Sequence, residues 1–382
     1  MILKKSIKIK QLQQLIQSQN QQKMKNKIEF YSAQEINQSD FQNLIDISVY
    51  ILNSKGISSL INSLKLCSKL MILELSLNNC IIEEKQSEKL GLALTKMENL
   101  KFLTLLFCFS EFNDFSFIAL AKELLHKKNL NSLKLQLSNT LITNQSMSYL
   151  RLNLHQFSDL KDLELNISKT QVKELDFSGL IEGIINLSLE SFSLNTESTS
   201  MIAEIENKMD QGISYPVFTS LVKLKFEFEQ TKLAKETFES ICNFIRLAKN
   251  LKDLYLNLIN NQIDSLHLFC LTESVDQKQD LHSLSLLLNK NKLKGQDFFR
   301  LFIELGKCQC LKNFNISLLE NQISVQEEMQ IVENLRNSLN LNMLILNIRE
   351  YSIDNEDHIQ NSLLRNHLRK IRNLVKFNYN FY

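Results

Sequence analysis

Cys308 and Cys310, one residue apart, are the arrangement in this chain that could begin a metal site. Two thiolates would supply half of a tetrahedral soft-metal shell. The other half is missing. No C-x-x-C occurs, and His126, His155, His267, His282, His358 and His367 are scattered, with no H-E-x-x-H among them. Of the other cysteines, Cys67, Cys80, Cys108, Cys242 and Cys270, Cys242 and Cys270 read as small apolar fillers of helical segments. No metal ion is expected. An odd count of seven cysteines with no apolar leader ahead of them points to a reducing compartment.

Nucleotide chemistry has no better footing. Neither G-x-G-x-x-G nor G-x-x-x-x-G-K-[ST] is present. The segment Asp176–Gly179 reads DFSG, but no H-R-D or A-P-E accompanies it. Lys plus Arg is 44 against Asp plus Glu at 42, a balance unlike the basic excess of a nucleic-acid binder. With 44% hydrophobic residues the chain is too apolar to be disordered. No run of about 18 apolar residues could span a membrane. The expectation is a chain that is not an enzyme and carries no cofactor.

The elements that would position any site are set by a repeat. From Leu70, leucines follow at offsets three, five and seven, as Leu73, Leu75 and Leu77. The phrase returns from Leu100, Leu130, Leu160, Leu189, Leu221, Leu251, Leu281, Leu311 and Leu341. The spacing is 30 residues, except 29 before Leu189 and 32 after it. Offset seven breaks once, at Thr196. Leu44, Ile47, Val49 and Ile51 read as an earlier degenerate unit, and Leu374, Phe377, Tyr379 and Phe381 as a truncated last one, giving about twelve units.

Apolar residues at offsets three, five and seven alternate, which predicts a short strand with one buried face. Later in the unit the spacing becomes four, as in Leu90 and Leu94 or Ile241 and Ile245, which predicts a helix. Strand then helix at a fixed period predicts parallel strands, right-handed crossovers and an open α/β solenoid. Helices are about 10 Å wide and strands about 4.8 Å apart, so the stack must curve with its strands on the concave side. One Pro and seven Gly in 382 residues disfavour a fold built on many primed turns, since about 25 Gly and 20 Pro would be usual.

The phrases LKDLYLNLINNQI from Leu251, LHSLSLLLNKNKL from Leu281 and LKNFNISLLENQI from Leu311 resemble the leucine-rich repeat family. The 30-residue period and long helical half resemble its ribonuclease-inhibitor-like subclass. The richness in Asn, Gln and Lys resembles leucine-rich repeat proteins of ciliates. The resemblance covers residues 44–382 and implies that Asn261, Asn291 and Asn321, at offset ten, bond backbone groups where strand becomes loop. Cys80 and the threonines are substitutes in that slot. Residues 1–43 are expected to be a polar tail or cap. Residues 210–220, with Gly212 and Pro216, form an irregular insert in the domain.

Offsets two, four, six and eight then face outward. Two groups there are apolar: Ile72, Phe102, Leu106 and Cys108 near the start, and Tyr255, Ile259, Leu287, Met343 and Ile345 toward the end. Clustered exposed apolar residues mark contact surfaces. Lys225, Glu227 and Glu229 between them are expected to be solvated. The expected function is a protein-binding scaffold or adaptor, cytoplasmic and, by the ciliate resemblance, within a ciliary or cytoplasmic complex. The alternative that the resemblance implies is a regulator of an enzyme, like a Ran GTPase-activating protein or a ribonuclease inhibitor. No nucleic-acid or membrane partner is expected, and the oligomeric state stays open.

Overall fold

The computed structural model describes residues 27–32, 44–173, 175–199, 217–276, 278–338, 341–348 and 376–379. One sheet of thirteen strands runs through it, every neighbour adjacent in sequence. The strands are β1 (Lys27–Phe30), β2 (Asp46–Tyr50), β3 (Ile72–Ser76), β4 (Phe102–Leu106), β5 (Ser132–Gln136), β6 (Asp162–Asn166) and β7 (Ser191–Asn195). After them come β8 (Lys223–Glu227), β9 (Asp253–Asn257), β10 (Ser283–Leu287), β11 (Asn313–Ser317), β12 (Met343–Asn347) and β13 (Lys376–Tyr379). All pairs are parallel and hold one register, so equal offsets lie side by side: Phe226 beside Leu256, and Leu256 beside Leu286. Helices return the chain: α1 (Ile57–Leu64), α2 (Glu84–Thr95), α3 (Asp114–Leu124), α4 (Asn144–Asn153) and α5 (Phe177–Ile184). The second half has α6 (Lys235–Leu247), α7 (Ser265–Val275), α8 (Phe298–Lys307) and α9 (Val325–Ser338). This is a leucine-rich repeat solenoid.

The core is the row of offsets read from the sequence. Leu73, Leu75, Leu77, Leu90 and Leu94 are buried together, and so are their apolar counterparts among the described residues. Thr196, the one polar residue at offset seven, is buried too. Around it the core is aromatic: Phe177, Phe192, Phe226 and Phe244 pack edge to face, and Phe218 joins Phe244 at 4.9 Å. Phe218 belongs to the expected insert at 210–220, of which residues 210–216 lie outside the described ones. Strands β7 and β8 pair without a slip across that insertion. At the other end β1 extends the sheet beyond residue 44, with Phe30 buried and Tyr31 stacked on Tyr50 at 5.5 Å. The rest of the expected tail, and Phe381, lie outside the described residues.

The strand-to-loop corner explains how the chain manages with so few glycines. The residue at offset nine is left-handed in nine units: Asn79, Phe109, Asn139, Lys169, Ser198, Gln230, Asn260, Lys290 and Glu320, with φ of 55–58°. The fold thus uses positive φ at these corners without glycine. Its cost is about 1–2 kcal/mol per non-Gly residue, less for Asn. The conformation is enforced from the next unit, where the carbonyl at offset eight accepts the N–H: Asn79 to Cys108 at 3.0 Å, Phe109 to Ser138 at 3.0 Å, Lys290 to Leu319 at 2.8 Å. None of the nine is β-branched, the side-chain type worst suited to positive φ. At position 290 we expect melting temperature to rank Gly and Asn at or above Lys, with Val lowest. A Lys290→Val loss of about 1–2 kcal/mol by denaturant titration is the expected size.

One position on, offset ten closes the same corner. Asn261 Nδ2 donates to the Phe228 carbonyl at 2.6 Å, and Asn291 Nδ2 to Leu258 and Leu288 at 3.0 and 2.9 Å. Their Oδ1 atoms accept backward: Asn291 from Asn261 N at 3.0 Å, and Asn261 from Thr231 N at 3.2 Å. Ser110 Oγ makes the same pair of bonds, donating to Leu77 O at 2.7 Å and accepting from Cys80 N at 3.2 Å, whereas Thr140 Oγ1 donates to Leu137 O of its own unit at 2.7 Å. Glycines serve the opposite side of the solenoid. A Cβ on Gly183 in α5 would lie 2.5 Å from the Arg151 carbonyl oxygen, and one on Gly91 in α2 would lie 2.5 Å from Glu123 Cβ. They let neighbouring helices touch.

Two lysines are buried in an apolar slot at offset 27, which Met97, Phe157 and Leu187 hold in other units. Lys278 Nζ donates to the Ala248 and Arg246 carbonyls at 2.6 and 3.1 Å, closing the C-terminus of α6. Lys127 does the same to Met97 O at 2.5 Å. Burial, with Lys249 and Arg246 adding to it, lowers Lys278 to about 8. Between that value and the ordinary lysine value of about 10.4, the unfolded chain holds a proton that the folded chain has lost. This group's contribution to stability therefore rises with pH across pH 8 to 10.4. Wild type minus Lys278→Met, measured by denaturant titration, should gain about 2–3 kcal/mol over that window. The difference is needed because the Cys67 and Cys308 thiols, pushed by burial up to about 11, act with the opposite sign there.

Candidate partner-binding surface

Strand alternation puts offsets two, four and six on the open face of the sheet. At its start Ile72 on β3 and Phe102 on β4 are register partners, and Phe102 is 39% exposed. Leu106 ends β4 on the same face, and Cys108 follows it, both half-buried. Asn78 Oδ1 takes the Cys108 N–H at 2.7 Å and fixes that exit from the strand. Beyond it the apolar surface continues over the rim. Phe109 and Phe115 are each 63% exposed, and Ile81 and Leu141 are exposed beside them. Backbone bridges Ile81–Glu111 and Asn113–Leu141 line up these loops. Sequence reasoning stopped at offset eight and missed this extension. Its signal was bulky apolar residues at offsets nine and eleven, which other units fill with polar ones, joined by Phe115 at offset fifteen.

The later group is not one patch. Tyr255, Ile259 and Leu287 lie around β9 and β10, all partly buried. Met343 and Ile345 lie on β12. Between them β11 presents Asn313, Asn315 and Ser317, which are register neighbours of both β10 and β12.

The middle of the face is polar and internally bonded. Gln136 Nε2 donates to Glu164 Oε1 at 2.7 Å, Asn166 Nδ2 donates to Gln136 Oε1 at 2.8 Å, and Lys134 pairs with Glu164 at 3.1 Å. Asn195 donates to Glu227, and Asn257 to Glu229, at 3.1 and 3.2 Å. Lys225 is 2.5 Å from Glu227 and 5.4 Å from the Tyr255 ring centroid. The trio expected to be solvated is exposed at Lys225 and half-buried at Glu227 and Glu229, and its carboxylates also accept from Asn195 and Asn257 of the neighbouring units. The hydrogen bond that Lys225 donates to Glu227 raises the Lys225 pKa. Burial, then the charge of Glu190, raises Asp162, with Lys134 and Lys223 opposing. Ser191, Ser193, Ser283 and Ser285 flank the Lys225–Tyr255 ridge, and their small side chains leave a hollow of about 370 Å³.

Of the residues singled out for chemistry, Cys308 is buried in the offset-27 core slot and its thiol donates to Glu304 O at 3.8 Å. No group of three or more His, Cys, Asp or Glu side chains among the described residues could hold a metal ion. In the DFSG segment Asp176 caps α5 through Gly179 N at 2.8 Å and pairs with Arg151 at 3.0 Å. His267 closes the capping box of α7 with Asp264, whose carboxyl it helps hold low against burial. His358 and His367 lie outside the described residues. No helix among the described residues is long and apolar enough to cross a membrane.

No protein-family model and no curated protein matches the chain. Among solved structures it is similar to a leucine-rich repeat protein of Leptospira interrogans, at 18% identity and TM-score 0.34, over 89% of this chain and 90% of that one. It is also similar to a Bacteroides fragilis protein, at 13% identity and TM-score 0.39, over 76% of this chain and 70% of that one.

Proposed function

We propose that this chain is a non-catalytic scaffold that binds a protein partner on the open face of its sheet, centred on Ile72, Phe102, Leu106 and Cys108. The observation that carries this reading is Phe102, a large aromatic side chain 39% exposed on a strand whose inward neighbours Leu103 and Leu105 are fully buried. It stands with Ile72 and Leu106 on a surface that the fold itself does not need. A stable contact buries about 1,200–2,000 Å² in total, which several adjacent strands and the rim at Phe109 and Phe115 supply. The bonded middle of the face then sets orientation, since its amides and carboxylates are already held in place. The Tyr255 hollow is a second point of contact, separate from Met343 and Ile345. Residence in a cytoplasmic or ciliary complex is the part of this reading that rests on the sequence resemblance.

The test is recovery of partners from the source cell with wild type and with Phe102→Glu, Leu106→Glu. Both side chains point outward, so the melting temperature should stay within a few degrees. Partner recovery should fall about tenfold or more, the loss of one or two central contacts. Equal recovery of the same partners by both proteins would remove this patch as the interface.

A further inference from the structure

The open face begins on strands whose outward residues are acidic or apolar. Asp46 on β2 is the register partner of Ile72, and Ile72 of Phe102. Glu29 on β1 and Glu74 on β3 flank that row, two residues further along the strands. At offsets two, four and six of β2, β3 and β4 there is no Lys or Arg. Lys134, on β5, is the next base along the face and is paired with Glu164 at 3.1 Å. The Tyr50 hydroxyl donates to Glu74 at 3.2 Å, and the Tyr31 hydroxyl to Glu29 at 3.0 Å. These neutral donors hold the carboxylates in place and leave them their charge. An exposed apolar patch edged by fixed negative charge fits a segment that carries apolar side chains and lysines and no acid.

The chain carries such a segment next to the patch. Residues 1–26, which lie outside the described ones, contain Lys4, Lys5, Lys8, Lys10, Lys23 and Lys25 and no Asp or Glu. Leu12, Leu15 and Ile16 lie between the two groups of lysines. The point where the segment joins the fold brings it close. Lys27 opens β1 in the same register row as Asp46, Ile72 and Phe102, so the preceding residues leave the sheet at the level of Phe102. Three strand spacings, about 14 Å, separate β1 from β4. Even at the 1.5 Å per residue of a helix, these residues reach about 39 Å. A tethered segment acts at an effective concentration of about a millimolar, so weak contacts are enough to keep it in place.

We propose that residues 1–26 occupy the Ile72–Phe102–Leu106 patch when no partner is bound, with their lysines against Glu29, Asp46 and Glu74 and their leucines and isoleucines against the apolar side chains. The proposal rests on the reading of that patch as a contact surface and adds that the chain covers it. A partner then binds by displacing the segment, and its apparent affinity is reduced by the fraction of chains that are covered.

The experiment is hydroxyl-radical footprinting of the full chain at low salt, read by peptide mapping. Phe102 is 39% exposed on the open face, and Phe269, on α7 on the other side of the solenoid, is 48% exposed. Left bare, the two rings should label at similar rates. With the segment in place Phe102 should label about threefold more slowly or less, as for a cover in place most of the time. Lys4→Glu, Lys5→Glu, Lys8→Glu and Lys10→Glu together should remove that protection. Sodium chloride at about 1 M, where charges are screened beyond about 3 Å, should weaken it in wild type. Equal labelling of the two rings in wild type would overturn the proposal. So would protection of Phe102 that survives the charge reversal, or protection that grows with protein concentration, which would belong to a second copy. Should the variant fail to fold, the salt dependence in wild type decides. Equal labelling leaves the patch bare and available to a partner, whereas the partner reading fails separately, in recovery by Phe102→Glu, Leu106→Glu.

Discussion

Leu256→Asp should unfold the middle of the array, and Ser285→Asp, on the neighbouring strand, should not. Leu256 is buried on β9, between its register partners Phe226 and Leu286. A carboxylate there loses the contacts of a leucine and also enters an apolar slot without a partner. The first effect costs about 2–5 kcal/mol and the second several more, reduced when the group takes up a proton. A total of about 5 kcal/mol or more rivals the whole stability of an ordinary domain. Stacked units touch only their neighbours, so the loss should be felt first in β8, β9 and β10. Hydrogen exchange should show those strands unprotected while β3 to β5 keep their protection. Ser285 lies on the open face beside Tyr255, where a carboxylate keeps its water. Its replacement should change stability by about 0.5 kcal/mol. Unaltered melting of Leu256→Asp would mean that the inward and outward offsets had been exchanged.

That contrast was legible before any coordinates, because a period of two and a period near four leave unambiguous marks in a 30-residue repeat. The same counting placed Phe102 and Ile72 on the outward face. What it missed depends on which strand lies beside which. Gln136 lies 28 residues before Glu164 and 30 before Asn166, and the three look like scattered polar residues until the register makes them neighbours. Glycine scarcity argued against many primed turns, and the corners do without glycine by placing Asn, Lys, Gln, Ser, Glu and one Phe in the left-handed conformation. From Asn79 to Lys290, hydrogen bonds to the following unit impose the geometry at the corners. Gly91 and Gly183 sit where helices touch, a contact that the spacing of a single unit does not reveal.

Contacts between units also decide the second large effect. Replacing Asp114 by Ala should destabilise the chain by about 3 kcal/mol or more. Asp114 opens α3, yet its carboxylate serves the next helix. Its Oδ1 accepts from Thr143 N at 2.9 Å and Ser146 N at 3.1 Å, its Oδ2 accepts from Thr143 Oγ1 at 2.7 Å, and Ser146 Oγ also donates to Oδ1. Thr143 is the N-cap of α4, so one carboxylate holds both the cap and the first turn of the neighbouring unit. Hydrogen bonds to a charged acceptor are worth about 1.5–3 kcal/mol each, and donors left buried without a partner cost about 1–3 kcal/mol. Asp114→Asn keeps some acceptor capacity but turns an N–H₂ toward donors, so it should fall between wild type and Ala. The pH dependence separates this from loss of packing. Burial raises the Asp114 pKa, but the hydrogen bonds from Ser146 and Thr143 outweigh it and hold the carboxyl below its ordinary value. A depressed folded value means that the stabilisation is complete above the unfolded value, near pH 4, and is lost as the pH falls through the folded one. In urea titrations the gap between wild type and Asp114→Asn should be constant from pH 7 to about pH 5 and should narrow below pH 4. A gap that stays constant into strong acid would assign the effect to shape rather than to the charge.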